Sequence, residues 1–382
     1  MFNQLSSEVQ LFLTREYGHI VESEQDYISY GDSVDLEGSS SNALSNIHLL
    51  SNLNFLFLIK SQVSDLTPIT PLKCLMFLNL DGASIKDISC LSDVTSLRYL
   101  IIKNTEVADI SAVSSMLRLE ELDISQTQVT SIDAVAHLVN LKWLKLVKTN
   151  VTDINPISSL INLQFLDLSC TPVHDVTPLS FLYNLTKLIA MDTQVFNFEP
   201  LSKLKNLIDL NLSRSFLSVI CPLLGMLKIK TVDFSYCDNL SLANIQHVST
   251  LHSLILTRSY ILDFSPLSGA VSLSSLTLMG TNVEDLWFLE TLVNLEQLNI
   301  SYTNACNIQP LSNLVKLRVM DLSGSKVTDL EPLRGMKDLE LLELEAVAPR
   351  SLEPIKHLIQ GKLKVQGYVS QSPLKKLWNK LF

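Results

Sequence analysis

The chain has 382 residues, 47% hydrophobic and only 18% charged, with a formal net charge of -10. That composition excludes a disordered, collagen-like or disulfide-scaffold chain, and the acidic balance argues against non-specific nucleic-acid binding as the main role. The longest charge-free stretches, 38–59 and 264–283, are broken by Ser and Asn every few residues, so neither reads as a membrane-spanning helix.

Residues 1–33 hold six acids and one base. Their apolar run is interrupted by Glu8 and followed by Arg15 and Glu16, which is not the pattern of a secretory signal. Ser6 or Ser7 ahead of EVQLFL predicts a capped helix, and the segment is expected to form an N-terminal helical cap on the rest of the chain.

Residues 34–365 are a repeat. With Leu56-x-Leu58 as origin, the same apolar pair recurs every 22 residues from Val34-x-Leu36 to Leu342-x-Leu344, giving 15 units without an insertion. A further pair, Leu363-x-Val365, is read as closing the array one residue early. Other columns keep step: Leu53, Leu75, Leu97 and Leu119 before the origin, Leu66, Ile88 and Ile110 after it, then Ile69, Leu91 and Val113. No unit has enough apolar groups to bury alone, so neighbours must stack into one continuous core. The LxL pair has the period of a strand, and stacked units predict a parallel sheet. Thr or Ser stands five residues after the origin in 12 of the 15 units, where a hydroxyl is expected to bond backbone of adjacent coils. Nine of the 13 prolines share one column, and Ser45, Thr67, Ser89, Ser111, Asp133, Asn155 and Thr177 precede that column. A cap followed by Pro predicts one or two helical turns, α or 3₁₀, opposite the sheet.

LDLSCTPVHDVTPLSFLYNL (166–185) and MDLSGSKVTDLEPLRGMKDL (320–339) resemble leucine-rich repeats of the short, 22-residue class. That class includes bacterial internalin-like proteins and the eukaryotic phosphatase-regulatory type. The resemblance implies an α/β fold: a right-handed, curved solenoid of about 15 repeats with the parallel sheet on its concave face. It also implies binding through that face and no shared chemistry. One departure is that the family's Asn at the turn column is absent here, where Thr and Ser dominate.

Residues 366–382 form a basic, amphipathic tail. Leu374, Leu377, Trp378 and Leu381 recur at helical spacing, with Lys375, Lys376 and Lys380 on the other side. The tail is expected to fold back as a C-terminal cap; contact with an anionic membrane or a partner groove is the alternative.

Little points to catalysis. The cysteines are Cys74, Cys90, Cys170, Cys221, Cys237 and Cys306, in six different columns, and they are read as reduced and mostly buried. No metal-ligand spacing, P-loop or GxGxxG occurs, so no cofactor and no enzymatic activity are expected. The residues flanking the central strand Leu are more informative: Phe55, Phe77, Tyr99, Trp143 and Phe165 precede it, and Phe57 and Ile101 follow it. On a strand these side chains face outward, so Phe55, Phe57, Phe77, Tyr99, Ile101, Trp143 and Phe165 are the candidate protein-binding residues; packing on one another is the competing role. Asp123, Asp167, Asp233 and Asp321 share the face as a candidate acidic track. The unit around VDFSYCDNLSLANI is irregular, with Phe196, Phe198 and Phe216 nearby.

The expected function is a non-enzymatic scaffold that captures a protein, not nucleic acid, in the cytoplasm. The alternatives are a bacterial effector delivered into a host cytoplasm with a membrane-associating tail, and an internalin-like surface adhesin.

Overall fold

The computed structural model describes residues 4–17, 32–216 and 220–367. The tail residues Leu374, Leu377, Trp378 and Leu381 lie outside that set. The chain divides into two units, Met1–Val195 and Phe196–Phe382.

The first unit opens with α1 (Ser7–Tyr17). The Ser6 hydroxyl accepts from the Val9 N–H at 3.3 Å and donates to the Ala43 carbonyl at 2.6 Å, so one side chain both caps the helix and ties it to the first coil. Val9 and Leu13 are fully buried. Eight three-residue strands follow, from β1 (Ser33–Asp35), β2 (Phe55–Phe57) and β3 (Phe77–Asn79) through β4 (Tyr99–Ile101), β5 (Glu121–Asp123), β6 (Trp143–Lys145) and β7 (Phe165–Asp167) to β8 (Lys187–Ile189). All pair in parallel with a shift of one repeat, as in Phe55↔Phe77 and Phe77↔Tyr99. The central residue of each strand is buried, and in most strands both flanking residues are half-buried, the direct result of period-two alternation. The second unit repeats the plan from β9 (Asp209–Asn211) to β16 (Lys364–Gln366), again all parallel. Each unit is therefore an α/β repeat solenoid with a parallel sheet on one side.

The register closes differently from the sequence expectation. Val365, not Leu363, pairs with Leu342, so the last coil runs one residue late. A short helix, α2 (Lys356–Ile359), follows the last 3₁₀ turn and takes up the extra residue.

Opposite the strands each coil makes a 3₁₀ turn of three or five residues, such as Thr67–Ile69 and Asn155–Ser159. Its cap is not the residue expected. Thr67, Ser89, Asn155 and Thr177 are the first residues of their turns, and their N–H groups donate to Asp65, Asp87, Asp153 and Asp175 at 2.7–2.8 Å. The repeated Asp column is thus the cap, two residues upstream, through an Asx turn. The hydroxyls of Thr67, Thr177 and Ser265, and then their N–H groups, hold Asp65, Asp175 and Asp263 below the usual carboxylate range; for Asp87 the Ser89 N–H leads and its hydroxyl follows. A carboxyl whose folded pKa is depressed adds stability above its unfolded value, about 4, and loses it as pH falls through the folded value. The thermal midpoint should therefore stay level from neutral pH to about 5 and drop below about 4. Asn at positions 65, 87, 175 and 263 keeps the acceptor but removes the titration, so that variant should show a shallower acid drop in pH-dependent calorimetry. An identical slope would refute the assignment.

Every coil also carries a left-handed residue four places after the origin, among them Lys60, Asn104, Lys148, Arg214, Tyr302 and Ala346. Glycine fills it only at Gly38, Gly82, Gly280 and Gly324. Ala346 has an exposed side chain, so Ala346→Gly relieves the left-handed strain with no packing loss and should stabilise by about 0.5–1 kcal/mol. A urea midpoint that stays put or falls would contradict this.

The Thr column works within its own coil. Thr105, Thr127, Thr149 and Thr171 donate to the carbonyl three residues back at 2.6–2.8 Å, whereas the expected bond to a neighbouring coil is made by Ser259, which donates to the Phe234 carbonyl at 2.6 Å. Links between coils come instead from an Asn column: Asn140, Asn162 and Asn184 each donate to a carbonyl of the preceding coil at 2.8 Å. Among Cys74, Cys90, Cys170, Cys237 and Cys306, only Cys237 is buried, and burial pushes its thiol up to about 11; Cys74 and Cys306 are exposed, against expectation, because their columns fall outside the core.

Candidate protein-binding surface

The first unit's sheet face gathers four of the candidate residues directly. The ring centroids of Phe55 and Phe77 are 6.2 Å apart, those of Phe57 and Phe77 5.0 Å, and those of Phe77 and Tyr99 6.1 Å, all tilted by about 40°. Phe77 is the hub because strand pairing puts Phe55 and Tyr99 opposite it on its two sides. Ile101 stands on the other column, between Asn79 and Asp123. Trp143 and Phe165 follow on β6 and β7, divided from Tyr99 by Glu121 of β5. All seven are half-buried, so their packing stabilises the sheet while one side of each remains open to solvent.

Charges frame the rings. Lys145 lies 3.1 Å from Glu121 and 3.8 Å from Asp123, Lys187 sits 6.0 Å from the Phe165 centroid, and the Arg98 guanidinium 6.0 Å from that of Tyr99. The candidate acidic track is committed elsewhere: Asp123, Asp167, Asp233 and Asp321 each receive the N–H two residues on, at 2.8–3.0 Å. These carboxylates hold the chain as it leaves the strand.

In the second unit the same face is polar. A hollow of about 340 Å³ there is lined by Ser275, Thr277, Gln297, Asn299, Asp321 and Glu343, with Val319 among the few apolar groups. Among the described residues, the aromatic sheet face therefore lies in the first unit.

One surface escapes the sequence reading. Leu117, Val139, Ile161 and Tyr183, one column on successive coils, are 56%, 48%, 52% and 57% exposed. Their common position, five residues before the origin, is the signal that could have found them. In the second unit Phe196 and Phe216, both exposed, stack at 5.2 Å and 20°, while Phe198 is buried in the core. The irregular unit keeps its strand Thr231–Asp233; left-handed Asn239 and Asn244 bracket a Leu240↔Ile261 bridge in place of the usual Asp-capped entry.

Among the described residues no group of His, Cys, Asp or Glu could hold a metal ion, and no helix is long and apolar enough to cross a membrane. His174, beside Asp175, belongs to the Asp-capped turn of its coil.

A family model of leucine-rich repeats in two copies matches residues 139–181. No curated protein matches the chain. Among solved structures, an internalin (inlF) from Listeria monocytogenes shares 20% identity with a TM-score of 0.61, covering 97% of this chain and 98% of its own. A leucine-rich-repeat protein of Leptospira interrogans shares 19% identity with a TM-score of 0.74, over 91% of this chain and 98% of its own. A TLR13–ssRNA13 complex gives 19% identity and a TM-score of 0.70, over 90% of this chain but 55% of that one. By its repeats and by its fold, the chain is a leucine-rich-repeat solenoid whose coils are similar to those of an internalin.

Proposed function

We propose that this is a non-enzymatic scaffold that captures a protein partner on the sheet face of its first unit. The observation that carries the reading is the row Phe55, Phe57, Phe77 and Tyr99, whose rings touch across three parallel strands and stay half-open to solvent. Aromatic side chains on a preformed sheet lose little conformational freedom on binding, so apolar burial is converted into affinity efficiently. Trp143, Phe165 and Ile101 extend the surface. The net charge of -10 favours protein over nucleic acid. Residues 1–33 serve as the N-terminal cap, 34–365 as the binding array and 366–382 as the basic C-terminal tail or cap. The proposed location is a cytoplasm, of the source cell or of a host, in keeping with six cysteines scattered over six columns with no CxxC pair.

The test is affinity capture by the intact chain and by a variant in which Phe77, Tyr99 and Trp143 are Ser. A protein should be held by the first and released by the second; capture by both alike would rule out the sheet face as the binding surface.

A further inference from the structure

The strand-entry edge of the same unit carries a groove of about 570 Å³ whose charge is opposite to that of the whole protein. Four cations line it, Lys73, Arg98, Arg118 and Lys142, against the single carboxylate of Glu120. Glu120 is nearly buried and holds two of them: Arg98 Nε donates to it at 2.7 Å, with a second bond from the same guanidinium, and Lys142 Nζ donates at 2.7 Å. Those bonds, the Lys142 one first, keep the Glu120 carboxyl below the usual range and therefore charged. Lys73 Nζ donates to the Thr70 and Asp93 carbonyls at 3.2 and 3.3 Å, neutral groups that leave its charge uncompensated. Arg118 is exposed, and no carboxylate pairs with it among the described residues.

The repeat supplies its own control. Moving ten coils along the sequence turns Arg98, Glu120 and Lys142 into Arg318, Glu340 and Lys362, and the triad re-forms: Arg318 lies 3.2 Å and Lys362 3.5 Å from Glu340. There the position of Arg118 is Asp338, 3.7 Å from Lys362, and the charges balance. The triad is thus a structural device of these coils, and the surplus of positive charge is specific to the first unit. It adjoins the aromatic row, since Arg98 precedes Tyr99 in sequence and its guanidinium approaches that ring.

We propose that this groove recognises an acidic peptide segment of the protein partner, whose carboxylates meet Arg118, Lys73 and the outer donors of Arg98 and Lys142 while neighbouring apolar side chains lie on the aromatic row. The proposal rests on the sheet face being the protein-binding surface. Exposed guanidinium and ammonium groups set beside an apolar surface give charge complementarity at the rim, which selects the partner and speeds encounter.

The experiment is fluorescence anisotropy of a labelled hexaglutamate peptide titrated with the full chain. Arg118→Asp copies the residue that the equivalent coil already carries, so folding is preserved, and circular dichroism checks it. Saturable binding is expected, weakened about tenfold by Arg118→Asp and comparably by Lys73→Glu, and weakened further by added salt. The aromatic triple-Ser variant keeps the groove and should still bind the peptide. Equal affinity of the wild type and Arg118→Asp, absence of saturable binding, equal binding of hexalysine, or tighter binding of a single-stranded uridine oligonucleotide would each overturn the proposal. Partner capture by the triple-Ser variant is scored separately, so the groove can fail while the sheet-face reading survives, and the reverse.

Discussion

Replacing Phe77, Tyr99 and Trp143 together with Ser is expected to weaken partner binding on the order of a hundredfold or more, with the array still folded. The two halves of that expectation have separate origins. Buried aromatic anchors dominate protein interfaces at about 2 kcal/mol or more each. The same rings contribute far less to the sheet, because each is only half-buried and a cross-strand pair is worth roughly 0.2–1 kcal/mol. The core that holds the coils lies one residue further on, at Leu78, Leu100 and Leu144, all fully buried and untouched by the substitutions. An intact circular dichroism spectrum with unchanged affinity would show that the rings only pack on one another.

The largest expected effect on stability is at Phe288. It occupies the column where nine other units have Pro, yet it is fully buried and stacks on Phe264 at 5.4 Å and 14°. Phe288→Ala should cost about 3–5 kcal/mol, the lost transfer energy plus a cavity that the rigid stack cannot close. Repeats contact only their neighbours, so the damage should be local. Hydrogen exchange should show lost protection in the strands Ser275–Thr277 and Gln297–Asn299, with little change in β2 to β7. A loss below about 1 kcal/mol would mean that Phe288 is not a core residue.

The coil plan is legible in sequence because packing imposes a strict period: Leu56, Leu78 and Leu100 are buried for the same reason and therefore recur at the same step. Register follows, since one repeat's shift is the only pairing that keeps those leucines inward. What the sequence does not disclose is set by backbone dihedrals and by which donor finds which acceptor. The left-handed column holds Lys, Cys, Tyr and Arg as well as Gly, so no residue type announces it. The turn cap reads two residues late from sequence because Thr67 and Asp65 are both capping types, and only the geometry shows that Asp65 accepts. The aromatic face is readable from alternation, since Phe55, Phe77 and Tyr99 share a column. The groove is not: Lys73, Arg98, Arg118 and Lys142 stand in three different columns and meet only when coils stack.

The central claim, that the first unit's sheet face holds a protein partner, is tested most directly by site-specific photocrosslinking. A benzoylphenylalanine placed at Tyr99 on the sheet face is compared with one at Val315, exposed in the second unit on a column outside the strands. Illumination in an extract of the source cells should give a discrete crosslinked protein from position 99 and none from position 315. A discrete product from 315 alone, or the same products from both positions, would contradict the account.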